Sequence, residues 1–120
     1  MHNSKHQFKA GNNIAIKVPE HQFSATVSFY KDVLGFELVR EEEHSVAFEF
    51  GDKVLWVDLV STLSQSEIWL EVRSNDLEHA AKHLHEKGVV RCDQIEPLPD
   101  DFEGFWISSP ANIIHLVCNN

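Results

Sequence analysis

The chain has few of the features that mark membrane, secreted or nucleic-acid-binding proteins. Ten Lys and Arg residues stand against nineteen Asp and Glu among 120 residues, which gives a net charge of -9. This balance disfavours non-specific binding to nucleic acid or to anionic membranes, because both need a basic surface. No segment approaches the roughly 20 apolar residues of a membrane span. The polar start of the chain lacks the apolar stretch of a signal peptide, so we expect a cytoplasmic protein.

Cysteine and glycine motifs are equally sparse. The two cysteines, Cys92 and Cys118, are too few and too far apart for a disulfide scaffold or a paired-cysteine metal site. The sequence has no glycine-rich phosphate loop and no nucleophile-elbow motif. Apolar residues make up 42% of the chain, enough for the core of one domain. We therefore predict a flexible tail over residues 1–11 and a single domain over residues 12–120.

The apolar periodicity changes along the chain in an order that occurs twice. Apolar residues at every second position predict a strand from Ile14, and spacings of three and four then predict a helix over 23–34, followed by three more strands. The same order recurs with a strand from Ile68 and a helix over 77–84. We predict an α+β fold of two tandem βαβββ modules, 12–60 and 66–119, whose curved mixed sheets surround a cavity.

Strand alternation predicts which side chains line that cavity, because successive residues of a strand point to opposite faces. One parity is consistently apolar and is predicted to pack under the helices: Ile14, Ile16, Val18, Leu55, Val57, Leu59, Ile68, Leu70, Val72, Ile114, Leu116 and Cys118. The other parity is mixed and is predicted to face the cavity: Asn13, Ala15, Lys17, Val54, Trp56, Asp58, Glu67, Trp69, Glu71, Ile113, His115 and Val117.

This predicted lining combines two tryptophans with carboxylates. Unpaired buried carboxylates are too costly to be ordinary core filling, so a solvent-filled pocket is the better interpretation. A pocket lined by aromatic rings and a few carboxylates suits a planar or cationic organic ligand. For Glu67 and His115 three interpretations remain open: ligands of a divalent metal, an ion pair between the modules, or an acid–base dyad with His115 as the base.

Two segments resemble the vicinal oxygen chelate superfamily of glyoxalases, bleomycin-resistance proteins and extradiol dioxygenases. The run FYKDVLGFEL at 29–38 resembles the helix-to-strand segment of that superfamily, and PANIIHL at 110–116 is similar to its P-x-G-N-x-I-E-L ending. The resemblance covers residues 13–118 and implies the same paired βαβββ fold. It also implies a homodimer.

The resemblance further implies where a metal would be held. The superfamily's four ligand positions match Asn13, the neighbourhood of Trp56, Glu67 and His115. Tryptophan cannot bind a metal and asparagine is a weak oxygen ligand, which leaves Glu67 and His115 as candidate ligands of Ni, Zn, Mn or Fe. Asp58 shares the strand face of Trp56 and is a further candidate.

Three functional hypotheses follow from the sequence. The first is a small-molecule-binding protein of the resistance type that lacks the full metal-ligand set. It uses Trp56, Trp69, Glu67, Glu71 and His115, with Asp58 and Asn13 as further ligand-binding residues. The second is a divalent-metal lyase, isomerase or dioxygenase in which Glu67 and His115 act at the catalytic centre. The third is a dimeric structural or regulatory protein whose cavity has no ligand.

Overall fold

A computed structural model describes residues 8–120 of the chain. Over that range the backbone forms two α-helices and eight strands, in an order that is the same in both halves. The first half contains β1 (Phe8–Val18), α1 (Glu20–Ser28), β2 (Leu38–Glu42), β3 (Ser45–Phe50) and β4 (Lys53–Leu59). The second half contains β5 (Glu67–Ser74), α2 (Leu77–Glu86), β6 (Val90–Arg91), β7 (Gly104–Ser108) and β8 (Ile114–Asn119).

The chain divides into two compact units. The N-terminal unit is Asn12–Trp69, and the C-terminal unit is Leu70–Asn120 together with the described residues up to Gly11. The divisions therefore fall inside β1 and β5, whereas the sequence places the module junction between residues 60 and 66. β1 begins at Phe8, so the strand starts within the predicted tail. Residues 1–7 of that predicted tail lie outside the described residues.

The N-terminal unit is a mixed sheet backed by α1. Its strands follow the order β2-β3-β4-β1, with β1 parallel to β4 and the other pairs antiparallel. Phe23 and Val27 of α1 pack against a buried apolar cluster, as the helical spacing predicts. The buried members of that cluster come from three strands: Val18, Val46, Phe48 and Val57.

The C-terminal unit repeats this arrangement. Its strands follow the order β5-β8-β7-β6, with β5 parallel to β8 and the remaining pairs antiparallel. Ala80 of α2 is buried with Phe105 of β7 and Val117 of β8. The partly buried residues packed around them include Phe8 at the start of β1 and the predicted helical stripe of α2: Leu77, Ala81 and Leu84.

Two residues predicted for the core are solvent-exposed. Ile68 is 52% exposed and Leu70 is 37% exposed, although the alternation of β5 assigns both to the helix side. The two helices pack against strands other than β5. The core cluster beneath α1 draws its buried residues from β1, β3 and β4. The cluster beneath α2 is centred on β7 and β8.

The predicted first helix is shorter than its apolar spacing suggests. α1 ends at Ser28 and continues as a π-helical turn, Phe29–Val33, in which the Leu34 amide donates to the Phe29 carbonyl at 2.9 Å. The wider turn takes Leu34 off the predicted stripe, and its side chain is 47% exposed. Gly35 then has a φ of 70°, a conformation that glycine adopts without steric cost.

The second helix begins at Leu77, as the apolar spacing predicts. Its N-cap is Asp76, whose carboxylate accepts a hydrogen bond from the His79 amide at 3.0 Å. Asn75 and Asp76 are both good capping residues, so local preference alone does not choose between them. Ser74 contributes to the choice, since its hydroxyl accepts a hydrogen bond from the Asp76 amide.

The predicted fold class is confirmed: the chain is α+β with two βαβββ repeats, each a mixed sheet with one α-helix. Within residues 8–120, neither helix is long and apolar enough to cross a membrane.

Candidate functional site

A polar face of the N-terminal unit carries three of the predicted site residues. The parallel register of β1 and β4 aligns Ala15 with Trp56 and Lys17 with Asp58, so these side chains share the sheet face opposite α1. Asn13 lies on the same face two residues before Ala15. We call this surface the Trp56 face; it is formed by Asn13, Ala15, Lys17, Ser45, Ala47, Trp56 and Asp58.

The indole of Trp56 is held in a fixed orientation. Its Nε1–H donates to Oδ1 of Asn13 at 2.8 Å. Its neighbours in register are the small residues Ala15 on β1 and Ala47 on β3. Trp56 and Ala15 are both half-buried, whereas Ala47 is fully buried. The predicted pairing of Trp56 and Asn13 on one face is therefore correct, and the two side chains are hydrogen-bonded.

Asp58 is engaged on both of its carboxylate oxygens. Oδ2 accepts a hydrogen bond from Lys17 Nζ at 2.9 Å, and Oδ1 accepts one from the Ser45 hydroxyl at 2.6 Å. The Lys17 side chain is only 7% exposed and that of Asp58 is 20% exposed. A buried ion pair of this kind satisfies its own charges, so Asp58 is a structural partner of Lys17.

Lys17 also covers the second predicted tryptophan. Its ammonium lies 4.4 Å from the centroid of the Trp69 ring, within cation–π range. Trp69 is buried, and its Nε1–H donates to Oε1 of Glu67 at 2.9 Å. Glu67 is itself exposed. These contacts link Asp58, Lys17, Trp69 and Glu67 into one chain of polar interactions within the N-terminal unit.

Glu71 lies in the C-terminal unit and has its own ion pair. Its Oε1 accepts a hydrogen bond from Arg73 Nε at 3.3 Å, and its side chain is 9% exposed. Gly11 lies directly beside it, since a Cβ built on Gly11 would come 2.7 Å from the Glu71 Cβ. Burial and then the Glu71 carboxylate raise the pKa of the Cys118 thiol above its ordinary value of 9.0.

The last strand has the opposite alternation to the one predicted. Val117, predicted for the cavity, has no exposed surface and packs with Ala80 of α2. His115 lies two residues earlier and pairs with Ile107, so it shares the α2 side of the sheet with Val117. The predicted placement of His115 on the face opposite the helix is therefore wrong.

The residues predicted for the core of this strand lie on the other face. Leu116 pairs with Glu71 and Cys118 pairs with Arg73, so both face away from α2. The sequence missed this reversal because apolar residues occupy both parities of the predicted strand over 113–118: Ile114, Leu116 and Cys118 on one, Ile113 and Val117 on the other. Alternation cannot orient such a strand.

The donor set does not fit a bound divalent metal. Residues 8–120 contain no group of three or more His, Cys, Asp or Glu side chains arranged to hold an ion. The oxygens of Asp58 are taken by Lys17 and Ser45, and Oδ1 of Asn13 accepts from Trp56. A metal site needs three or four convergent ligands, and these candidates are already committed to donors of the protein.

Three participants were not among the predicted site residues: Lys17, Ser45 and Arg73. The alternation of β1 places Lys17 on the same face as Asn13, but nothing in the sequence pairs it with Asp58, which is 41 residues away. The Ser45 partner, Asp58, is defined by the register of β3 and β4. Arg73 lies two residues after Glu71 on β5, so strand alternation could have indicated that pair.

Paired βαβββ units with helix-backed mixed sheets define a known class of fold. The chain belongs to the Glyoxalase/Bleomycin resistance protein/Dioxygenase superfamily, whose family model matches residues 15–100. This confirms the resemblance seen in the sequence. No curated protein matches the chain significantly by sequence.

Solved structures with the same fold are distant in sequence. A Mn(II)-bound glyoxalase from Novosphingobium aromaticivorans superposes with a TM-score of 0.65 at 18% identity, over 92% of this chain and 38% of that chain. A methylmalonyl-CoA epimerase from Mycobacterium tuberculosis gives a TM-score of 0.66 at 14% identity, over 98% of this chain and 95% of that one.

A homoprotocatechuate 2,3-dioxygenase from Arthrobacter globiformis gives a TM-score of 0.64 at 17% identity, over 96% of this chain and 37% of that one. The chain therefore spans little more than a third of the glyoxalase and the dioxygenase. At these identities the likeness establishes the fold.

Proposed function

We propose that this protein binds a small aromatic molecule against the indole of Trp56 and does so without a resident metal. The observation that supports this most is the Trp56 face itself. Its carboxylate and amide are bonded to protein donors, while the indole lies between two alanines. A half-buried indole leaves part of its surface accessible for stacking, and stacking contributes about 1 kcal/mol beyond the area buried.

The charges on this face favour an aromatic ligand over a cationic one. The ammonium of Lys17 already covers the Trp69 ring at 4.4 Å, so a protein cation occupies the position that a ligand cation would take. Asp58 is neutralised by the same ammonium at 2.9 Å. The net charge of -9 favours cations only in a general way, at long range.

The alternative of a divalent-metal lyase, isomerase or dioxygenase has less support. It relies on Glu67 and His115, and His115 lies on the α2 side of its sheet. Oε1 of Glu67 already accepts a hydrogen bond from Trp69 Nε1–H at 2.9 Å. Metal-bound proteins occur among the structural relatives, so metal binding is a defined outcome of the experiment below.

Fluorine NMR on tryptophan tests the proposal directly. The chain has three tryptophans, so labelling with 5-fluorotryptophan gives three signals, which single Trp→Phe variants assign. We expect aromatic compounds such as indole and 2-naphthol to shift the Trp56 signal saturably in chelator-treated protein. Trp56→Leu should weaken binding roughly fivefold or more, the loss expected from one stacking contact.

Trp106 provides the matched control. It is buried in the C-terminal unit, and its Nε1–H donates to the Glu96 carbonyl at 2.9 Å. Trp106→Phe should leave the affinity for the compound unchanged. The proposal fails if no aromatic compound shifts the Trp56 signal, or if the shift occurs only after Mn²⁺, Ni²⁺, Zn²⁺ or Fe²⁺ is added.

We also propose that the protein is a homodimer, as the family resemblance implies. All residues of the edge strand β2 are exposed, and the exposed fractions are 39% for Leu38 and 51% for Val39. The two apolar residues stand at the start of this edge strand, and native proteins usually cover exposed strand edges or protect them with charge. Light scattering coupled to size-exclusion chromatography should give twice the mass of the chain, and Val39→Lys should shift the equilibrium toward the monomer.

A further inference from the structure

The C-terminal unit contains a cavity of about 350 Å³ on the α2 side of its sheet, separate from the Trp56 face. Its walls come from the end of α2, the β7–β8 connection and the start of β8. Val89, Ile107 and Pro110 provide apolar surface, and His115, Ser109 and Lys87 provide the polar groups. Cavities that hold small ligands measure about 300–1,000 Å³, so this one suits a single-ring molecule.

The His115 ring lines this cavity, and its backbone contact defines the tautomer. Its Nδ1 lies 2.9 Å from the Ile113 carbonyl oxygen. A carbonyl can only accept, so Nδ1 carries the proton, and in the neutral ring Nε2 is then an acceptor. The backbone contact also fixes the plane of the ring. A ligand that donates a hydrogen bond is therefore complementary to His115.

The Ser109 hydroxyl can donate a hydrogen bond, whereas His115 can accept one. Its hydroxyl oxygen accepts a hydrogen bond from the Ile113 amide at 3.2 Å, which leaves the hydroxyl proton to donate. A ligand group that both donates and accepts can use His115 and Ser109 together. Hydroxyl groups have that property, whereas carboxylates only accept and ammonium groups only donate.

The surrounding charge distinguishes a neutral hydroxyl from a carboxylate. The cavity adjoins the C-terminal end of α2, where the helix dipole carries partial negative charge. The protein as a whole carries a net charge of -9. Lys87 is exposed at the rim and is screened by solvent. Both the helix end and the net charge disfavour an anionic ligand.

We propose that this cavity binds a small phenol or hydrophobic alcohol whose hydroxyl donates to Nε2 of His115. The apolar part of the ligand lies against Val89, Ile107 and Pro110. This site is independent of the aromatic ligand proposed for Trp56, and it gives His115 a function on the face where the structure places it.

A double comparison of ligand and side chain tests the hydrogen bond. We would titrate the full chain with 4-methylphenol and with toluene and follow the backbone amides of Gly88, Val89 and Ile107 by ¹H–¹⁵N NMR. Toluene should bind roughly three- to tenfold more weakly, the worth of one hydrogen bond. His115→Phe should weaken 4-methylphenol by the same factor and leave toluene unchanged, and His115→Gln, which keeps an acceptor, should restore part of the loss.

Cavity filling provides the second arm. Val89→Phe should abolish the shifts with both probes, while the same substitution at Val33, which is 69% exposed in the N-terminal unit, should leave them intact. Trp56→Leu should also leave them intact, which separates this site from the Trp56 face.

Three results would overturn the proposal. The first is that 4-methylphenol causes no saturable shift of these amides. The second is that His115→Phe binds 4-methylphenol as tightly as the unchanged protein does. The third is that 4-methylbenzoate binds more tightly than 4-methylphenol and loses that advantage in Lys87→Met, which would assign the cavity to an anion.

Discussion

Lys17 has the most consequential environment of any single residue in the N-terminal unit. Its ammonium bonds Asp58 at 2.9 Å and lies over the ring of Trp69, with only 7% of the side chain exposed. Charges this deeply placed are tolerated only when they are paired, because an unpaired one retains its full desolvation cost. Lys17 therefore holds together the polar side of the site.

Replacing Lys17 with methionine should destabilise the fold strongly. The change keeps the length of the side chain but leaves the Asp58 carboxylate without its counter-charge, at a cost of about 3 kcal/mol. The measurement is the free energy of unfolding by urea titration. Lys31→Met is the matched control, because the exposed pair of Lys31 with Glu41 at 3.5 Å should be worth less than about 1 kcal/mol.

The double variant Lys17→Met with Asp58→Leu refines this test. It removes both charges, so it should be more stable than Lys17→Met alone. Equal destabilisation by Lys17→Met and Lys31→Met would show that the buried pair contributes no more to stability than the exposed pair. That result would contradict this account of the Trp56 face.

Cys118 gives the protein a predictable response to alkaline pH. Burial, followed by the Glu71 carboxylate, raises the pKa of its thiol above 9.0 in the folded state. The folded chain therefore keeps the thiol proton at pH values where the unfolded chain releases it. The resulting contribution to the free energy of unfolding is complete below pH 9 and is lost as the pH rises through the folded pKa. The stability difference between the unchanged protein and Cys118→Ala should therefore shrink above pH 9.

Urea titrations at several pH values between 7.5 and 10.5 measure this difference. All other ionisable groups are the same in the two proteins, so their effects cancel. A difference that stays constant across the range would mean that the Cys118 thiol ionises equally in the folded and unfolded chains.

At the level of elements, close packing between β1 and β5 depends on Gly11. A Cβ at this position would lie 2.7 Å from the Glu71 Cβ, closer than real contacts allow. The chain therefore needs a residue without a side chain here, although Gly11 lies in the segment that the sequence assigns to a tail.

Gly11→Ala should lower the free energy of unfolding by about 1–3 kcal/mol, the usual cost of overpacking. Thermal and urea denaturation measure the loss. The double variant Gly11→Ala with Glu71→Gly removes the opposing side chain. Its loss of unfolding free energy should be smaller than the sum of the losses in the two single variants. If Gly11→Ala is as stable as the unchanged protein, Gly11 does not lie against Glu71 as the structure shows.

Sequence patterns predicted the elements better than they predicted the faces. The βαβββ order and the polar side of β1 and β4 followed from alternation, because in those strands one parity is apolar and the other mixed. The same rule failed on β8, where apolar residues occupy both parities and the position of Val117 under α2 decides the face. His115 was consequently assigned to the wrong side of the sheet.

At the level of the whole molecule, the sequence indicated the superfamily correctly, because the FYKDVLGFEL segment and the repeated module order are both typical of it. The partners of the site residues did not follow, because Lys17 and Asp58, or Trp56 and Asn13, meet only through strand register. The residues whose side chains are of metal-binding types are, in the structure, mostly hydrogen-bonded to donor groups of the protein.

The central claim is that the Trp56 face binds an aromatic molecule and needs no metal. Its most direct test is the dissociation constant of one aromatic compound from the fluorine NMR panel, measured by calorimetry in EDTA and again with saturating Mn²⁺. The account predicts the same constant under both conditions and a roughly fivefold or greater loss in Trp56→Leu. Binding that appears only with Mn²⁺, and that disappears in Glu67→Gln or His115→Ala, would contradict it.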